Sequence, residues 1–306
     1  HLMGVSEFLM TSGSIRVLAD LGLIGIFGGF YIVPLFAFIQ MRTKSEYRAR
    51  VIAANNILNA LLMVVSTISG VIFLGIMELS IPEFFLVIAI MNVVAAIYIY
   101  TVVPEFVMRF LIWIITHTIY RVRHVNLDRI PDEGPAVLVC NHVSYMDGLI
   151  LGGACRRPIR FVMFEPIFRI PVLKFIFKTG KAIPIASRRE NEAVYLNAFD
   201  EISKALEEGE VVCLFPEGKL TRDGEIDEFK PGIEKIIQRN PVPVIPLALC
   251  GLWGSFFRNK GGKALTNLPK RFWSKVEIHT GKPVPPEAVS AADLRRKVLA
   301  LRKDFK

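Results

Sequence analysis

The feature that most limits what this chain can fold into is a set of three long apolar stretches. They run over roughly residues 17–40, 52–77 and 83–103, with no Asp, Glu, Lys or Arg well inside any of them. About 20 helical residues cross a hydrocarbon core about 30 Å thick, and backbone in that medium must satisfy its own hydrogen bonds. Residues 1–104 are therefore expected to form an all-α transmembrane segment. Asn55, Asn56, Asn59 and Asn92 lie within the spans. Hydrogen bonding between helices at small-residue contacts accounts for them better than a polar transport path does. Gly22, Gly25, Gly28 and Gly29, with Ala53, Ala54 and Ala60, suit the same close packing.

Charge orients the spans. The first linker, MRTKSEYRAR, holds Arg42, Lys44, Arg48 and Arg50; the second, around 78–83, holds no Lys or Arg; Arg109, Arg121 and Arg123 follow the third span. By the positive-inside rule the first linker and everything after residue 104 are expected to be cytoplasmic. The next segment, PEFVMRFLIWIITHTIYRVRH, has an apolar run that Arg109 breaks and that is short for a span. Residues 105–124 are expected to be an interfacial, membrane-anchoring helix, with Trp113 and Tyr120 at headgroup depth. The opening HLMG has no charged n-region or small-residue cleavage site, so it is expected to be a start within a longer protein rather than a signal peptide.

Of 37 Lys/Arg and 28 Asp/Glu, residues 1–104 carry five of each, so the whole net charge of +9 lies beyond them. An apolar neutral part followed by a basic part reads as an anchor joined to a domain that faces anionic lipid. Nucleic acid is not expected as a partner, because no Lys/Arg run is interleaved with aromatics. Cys140, Cys155, Cys213 and Cys250 are widely spaced with no C-x-x-C pair. They read as small buried hydrophobes, and no metal is expected because His and Cys never cluster with ligand spacing.

From about residue 125 the pattern changes to short apolar runs alternating with amphipathic segments. Strands are expected at 136–140, 160–164, 182–186, 211–215, 242–249 and 275–280. Between them, 192–208 puts Val194, Phe199, Ile202 and Leu206 on one helical face, and Gly209 ends that helix. Such alternation implies an α/β sheet covered on its faces, with chemistry at the C-terminal ends of strands.

The sharpest motif is VLVCNHVSYMDG at 137–148. Asn141 and His142 fall in the turn after a strand, and Asp147 follows as a helix begins. A turn can bring that carboxylate back to one imidazole nitrogen, leaving the other to accept a proton from an alcohol. No protein nucleophile is then required. Ser144 lies between them but lacks the G-x-S-x-G elbow. Alone, H-x-x-x-x-D also fits a capped helix beside a satisfied histidine. Three further blocks accompany it: GKAIPIASRRE at 180–190, FPEGKLTRDG at 215–224, and VPVIPLAL at 242–249.

These four blocks, in this order, resemble the lysophospholipid and glycerol-phosphate acyltransferase family over about 125–285. The resemblance implies an α/β acyltransferase domain, a mixed sheet flanked by helices, at 125–306. His142 and Asp147 match its catalytic block. Phe215, Pro216, Glu217 and Gly218 match its acceptor-binding block. The second block departs from the family's G-x-x-x-I-x-R, with the arginine displaced; Arg188 is the candidate for the acceptor phosphate and Arg189 its near rival. Arg222 either helps bind phosphate or pairs with Asp223 or Glu225. Glu217 is suited to accept a hydrogen bond from a glycerol hydroxyl, and Gly218 lets backbone approach the headgroup.

Three spans with an RxKxxxRAR linker resemble the last helices of a major-facilitator transporter. Followed by this domain, they resemble bacterial fusions of a lysophospholipid transporter with an acyltransferase that uses acyl carrier protein. The carrier-protein ligase domain usual in such fusions is not expected in the basic residues after 290. The implied acceptor is 2-acyl-glycerophosphoethanolamine, with lysophosphatidic acid as runner-up. The implied donor is an acyl thioester of acyl carrier protein or coenzyme A, with no cofactor besides this co-substrate. The competing expectations are a transporter fragment and a non-catalytic lipid-binding module.

Overall fold

The computed structural model describes residues 4–253 and 273–302, without the side chains of residues 41, 42, 106 and 171–173. The chain divides into two compact units, His1–Val107 and Met108–Lys306. The first is helical: α1 (Val5–Met10), α2 (Ser14–Arg42), α3 (Ser45–Gly70), continued by a π-helical turn to Ile76, and α4 (Ile81–Val102). Three helices, Ser14–Gln40, Ser45–Ile76 and Ile81–Val102, are long and apolar enough to cross a membrane. Their Leu, Ile, Val and Phe side chains are largely exposed, as lipid-facing surfaces are. The close packing expected at the glycines is not there: side chains built at Gly22, Gly25, Gly28 and Gly29 would meet nothing within 4 Å. Asn92 donates to Ile88 O of its own helix at 3.0 Å rather than across to another.

The segment expected to be one helix over 105–124 is two elements. Helix α5 (Pro104–Ile119) ends at Ile119, and Tyr120–Val125 is β1, an edge strand of the sheet. Tyr120 is fully buried rather than set at headgroup depth. Arg109 donates to Cys155 O at 2.6 Å and Arg156 O at 3.1 Å, so it docks on a helix end instead of merely interrupting an apolar run.

The remaining strands are β2 (Ala136–Cys140), β3 (Ile159–Phe164), β4 (Ile183–Ile185), β5 (Val211–Leu214), β6 (Val244–Cys250) and β7 (Ser274–Thr280). They form one seven-stranded sheet in the order β1-β7-β6-β2-β5-β3-β4. Every neighbouring pair is parallel except β6 and β7, so the sheet is mixed. The central strands β2, β5 and β6 are buried along their whole length, which is why they read as unbroken apolar runs.

Helices α6 (Asp147–Ala154), α7 (Pro171–Thr179), α8 (Glu192–Glu207), α9 (Gly232–Arg239) and α10 (Ala291–Leu301) complete the unit. One side of the sheet packs Val137, Val139, Val212 and Val244 against Ile202 and Leu206 of α8, Ile233 and Ile237 of α9, and Leu294 and Val298 of α10. The other side packs Leu138, Cys140, Cys213 and Leu247 against Ile150 and Leu151 of α6. Helix α8 stops as its sequence requires: Gly209 takes φ 77°, and Glu210 N–H returns to Ala205 O at 2.9 Å. The basic C-terminal helix is described to Arg302, and the expected remainder lies outside the described residues. All four cysteines are free and buried, and burial pushes the Cys155 thiol up to about 12.

Candidate active site

Strands β2 and β5 are parallel neighbours, with Val139 opposite Leu214, so the turns that leave their C-terminal ends lie side by side. Asn141 and His142 leave β2, and Phe215 to Gly218 leave β5. Asn141 fixes the first turn. Its side-chain amide donates to Leu249 O at 3.1 Å and accepts Leu249 N–H at 2.8 Å, which clamps the end of β2 to β6.

His142 Nδ1 lies 2.8 Å from Asp147 Oδ2. The same oxygen accepts the N–H groups of Val143 at 2.6 Å and Ser144 at 3.0 Å. The intervening turn therefore folds back on the carboxylate that opens α6. Asp147 Oδ1 is buried with no hydrogen-bond partner among the described residues. A carboxylate oxygen accepting two N–H groups directs the Nδ1 proton toward itself and leaves Nε2 as the acceptor. Asp147 is fully buried while the imidazole is 24 % exposed, so the pair is anchored inside and open outside.

His279 makes an instructive contrast. Its Nε2 lies 2.7 Å from Glu277 Oε2, but both side chains are sealed within the unit, 7 % and 8 % exposed. Ser144 is also sealed, and its Oγ accepts Met146 N–H at 3.2 Å, so it is not presented as a nucleophile.

The second turn closes around the first. The Phe215 ring stacks on the imidazole with centroids 4.3 Å apart and planes at 19°. Glu217, 2 % exposed, is turned inward rather than toward an acceptor hydroxyl. Its Oε1 accepts His142 N–H at 2.7 Å and its Oε2 accepts Asp227 N–H at 2.9 Å. Burial raises its carboxyl above the ordinary range, and the two N–H groups oppose that shift. Gly218 takes φ 68° and donates to Phe215 O at 2.9 Å; Pro216 O accepts Lys230 N–H at 2.9 Å. Thr221 N–H donates to His142 O at 3.0 Å, so both backbone groups of His142 are held by this one loop.

The arginines are placed differently. Arg188 is exposed and paired with Glu192 at 2.6 Å, and Arg189 beside it is exposed too. Arg222 is exposed, and the two carboxylates expected to pair with it are engaged elsewhere. Asp223 accepts the Thr221 hydroxyl at 2.9 Å, and Glu225 lies 3.5 Å from Arg302. Sequence reasoning missed Thr221, Lys230 and the clamping role of Asn141. Only the last left a signal, as the polar residue ending an apolar run.

A buried carboxylate, an open imidazole and an aromatic ring stacked on it thus meet at the C-terminal ends of β2 and β5, an arrangement suited to proton transfer. Residues 121–250 match the family model described as Acyltransferase. Among curated relatives, the chain is 29% identical over 168 residues to the N-acylphosphatidylethanolamine synthase of Arabidopsis thaliana, covering 50% of this chain and 57% of that one. It is 27% identical over 133 residues to a chloroplastic 1-acyl-sn-glycerol-3-phosphate acyltransferase of the same plant, covering 43% and 36%. The chain thus spans about half the length of these relatives, or less. Among solved structures it is similar to the 1-acyl-sn-glycerophosphate acyltransferase of Thermotoga maritima, with TM-score 0.49 and 23% identity over 64% of this chain and 76% of that one.

Proposed function

We propose that this chain is a membrane-embedded glycerolipid O-acyltransferase that moves a fatty acyl group from a thioester to the free hydroxyl of a lysophospholipid. The observation that carries the reading is the 2.8 Å contact between His142 Nδ1 and the buried Asp147, with the ring's far side open. The acceptor hydroxyl gives its proton to Nε2 as its oxygen attacks the thioester carbonyl. Asp147 stabilises the imidazolium that forms. When the tetrahedral intermediate collapses, the carbon–sulfur bond breaks and the imidazolium returns the proton to the leaving sulfur. The N–H groups of Val143 and Ser144 are already bound to Asp147, so they do not serve the oxyanion.

The acceptor is taken to be 2-acyl-glycerophosphoethanolamine, with Arg188, Arg189 and Arg222 as candidate phosphate ligands and acyl carrier protein or coenzyme A as the thiol of the donor. The name of the chloroplastic relative favours a second reading, with lysophosphatidic acid as acceptor. The three apolar helices and the basic first linker support a multi-pass protein of the inner membrane, its domain on the cytoplasmic side. They also keep open the fusion reading, in which residues 1–104 are the end of a lysophospholipid transporter. A panel of lysolipids, offered to the purified protein with both kinds of thioester and read by product mass, tests acceptor and donor together. Formation of no diacyl product from any combination rejects the proposal.

A further inference from the structure

Lys230 sits between Phe229 and helix α9, outside every motif the sequence singles out. Its N–H bond to Pro216 O, 2.9 Å long, stitches its loop onto the Phe215–Gly218 turn. Its side chain then runs back across Gly218. A Cβ built at Gly218 would lie 2.5 Å from Lys230 Nζ, 3.0 Å from Cε and 3.3 Å from Cδ. The ammonium thus rests in the space that a side chain at 218 would fill. That turn is one residue beyond the Glu217 carboxylate that holds His142.

The same charge reaches the turn that carries the displaced arginines. Glu190 is held below the ordinary carboxylate range first by the Ser187 hydroxyl and N–H, and to a lesser extent by the charge of Lys230. Two neighbouring cations are already paired, Lys219 with Asp227 at 2.9 Å and Arg188 with Glu192 at 2.6 Å. Lys230 has no carboxylate within 4 Å among the described residues, and it is exposed. A cation folded against backbone, with no carboxylate at ion-pair distance among the described residues, between two loops at the catalytic edge of the sheet is suited to receive an anion from solvent.

We infer that Lys230 is a specificity-determining residue whose ammonium binds the phosphate of the acceptor while the acceptor hydroxyl lies at His142. The inference rests on the acyl-transfer reading above and assigns this site a ligand class, a glycerophospholipid lacking one acyl chain rather than a neutral monoacylglycerol. An ammonium is a compact point charge with three donors, so it serves a phosphate monoester or diester alike.

The test gives the full chain in mixed micelles an acyl thioester and three acceptors: 1-acylglycerol 3-phosphate, lysophosphatidylethanolamine and monoacylglycerol. Wild type, Lys230→Ala and Lys230→Arg are compared. Lys230→Ala is expected to raise KM for both phosphorylated acceptors about 10- to 100-fold with kcat within about 3-fold, the loss of a charge-assisted contact made equally in ground and transition states. It leaves kcat/KM for monoacylglycerol unchanged within error, and Lys230→Arg recovers most of the KM. Unchanged KM, or an equal change for all three acceptors, overturns the inference. A parallel titration follows the melting temperature against glycerol 3-phosphate. A shift in wild type that is lost in Lys230→Ala supports the assignment even where no variant turns over, the outcome that would reject acyl transfer instead. No shift in wild type, or an equal shift in both, counts against Lys230.

Discussion

Glu217 Oε1 accepts the backbone N–H of His142 at 2.7 Å, so two loops 75 residues apart are joined by one carboxylate. With Oε2 on Asp227 N–H, both oxygens serve main chain. Its place in the FPEG turn therefore has a mechanical reading, since it sets where the imidazole sits rather than touching the acceptor. The roles below differ in what each substitution should disturb.

Glu217→Gln keeps the shape but turns an NH2 toward one of two N–H donors. One buried donor pair is left unsatisfied, at a cost of about 1–3 kcal/mol. The pH dependence distinguishes this from simple damage. Burial raises the folded-state value of Glu217 above its ordinary 4.5, so the folded protein holds this proton more tightly than the unfolded chain does. Its contribution to stability is then fully present below 4.5 and declines as pH rises through the folded value. Thermal melting of wild type minus Glu217→Gln, followed upward from pH 4, should show that decline; a difference that grows with pH would show the opposite linkage.

Asn141→Ala should be costlier for folding. It orphans both Leu249 N–H and Leu249 O at a fully buried position, a loss of about 2–4 kcal/mol by ordinary unsatisfied-group penalties. The expected readout is a markedly lower melting temperature. Asn141→Ala melting like wild type would show that water or strand shift replaces the clamp.

Phe215→Ala removes the ring stacked 4.3 Å from the imidazole. Aromatic stacking contributes about 0.5–1.5 kcal/mol beyond area burial, so a fall in kcat of about 2- to 10-fold is expected with little change in melting temperature. Phe215→Tyr, which preserves the stack, should stay near wild type.

Asp147→Asn separates orientation from charge. An amide oxygen still receives N–H groups, yet it no longer stabilises an imidazolium, and kcat should fall by about 10³-fold or more. Retained turnover would mean that Asp147 caps the loop and takes no part in proton transfer.

Much of the architecture was legible in the sequence because it is local. Strands β2, β5 and β6 show as apolar runs because they are buried along their whole length, and α8 shows by its 3.6-residue spacing and its terminal Gly209. Strand β1 was hidden because Tyr120–Val125 continues an amphipathic helix with basic residues, which mimics a headgroup anchor. What makes it a strand is parallel pairing with Ser274–Thr280, about 150 residues on. His142 and Asp147 were legible for the same reason of closeness in sequence. Glu217 on His142, Asn141 on Leu249 and Lys230 over Gly218 are contacts across 75, 108 and 12 residues that no single sequence encodes as a pattern. Gly218 suggests room for a headgroup in the sequence, whereas in the fold the Lys230 ammonium takes that space.

The central claim is that the imidazole of His142 takes the acceptor's proton. Transfer of labelled acyl groups to lysolipid by His142→Ala, with melting temperature as the check on folding, tests it most directly. The account predicts product formation at the uncatalysed background with an unaltered melt. Product formed at the wild-type rate by that folded variant would contradict it.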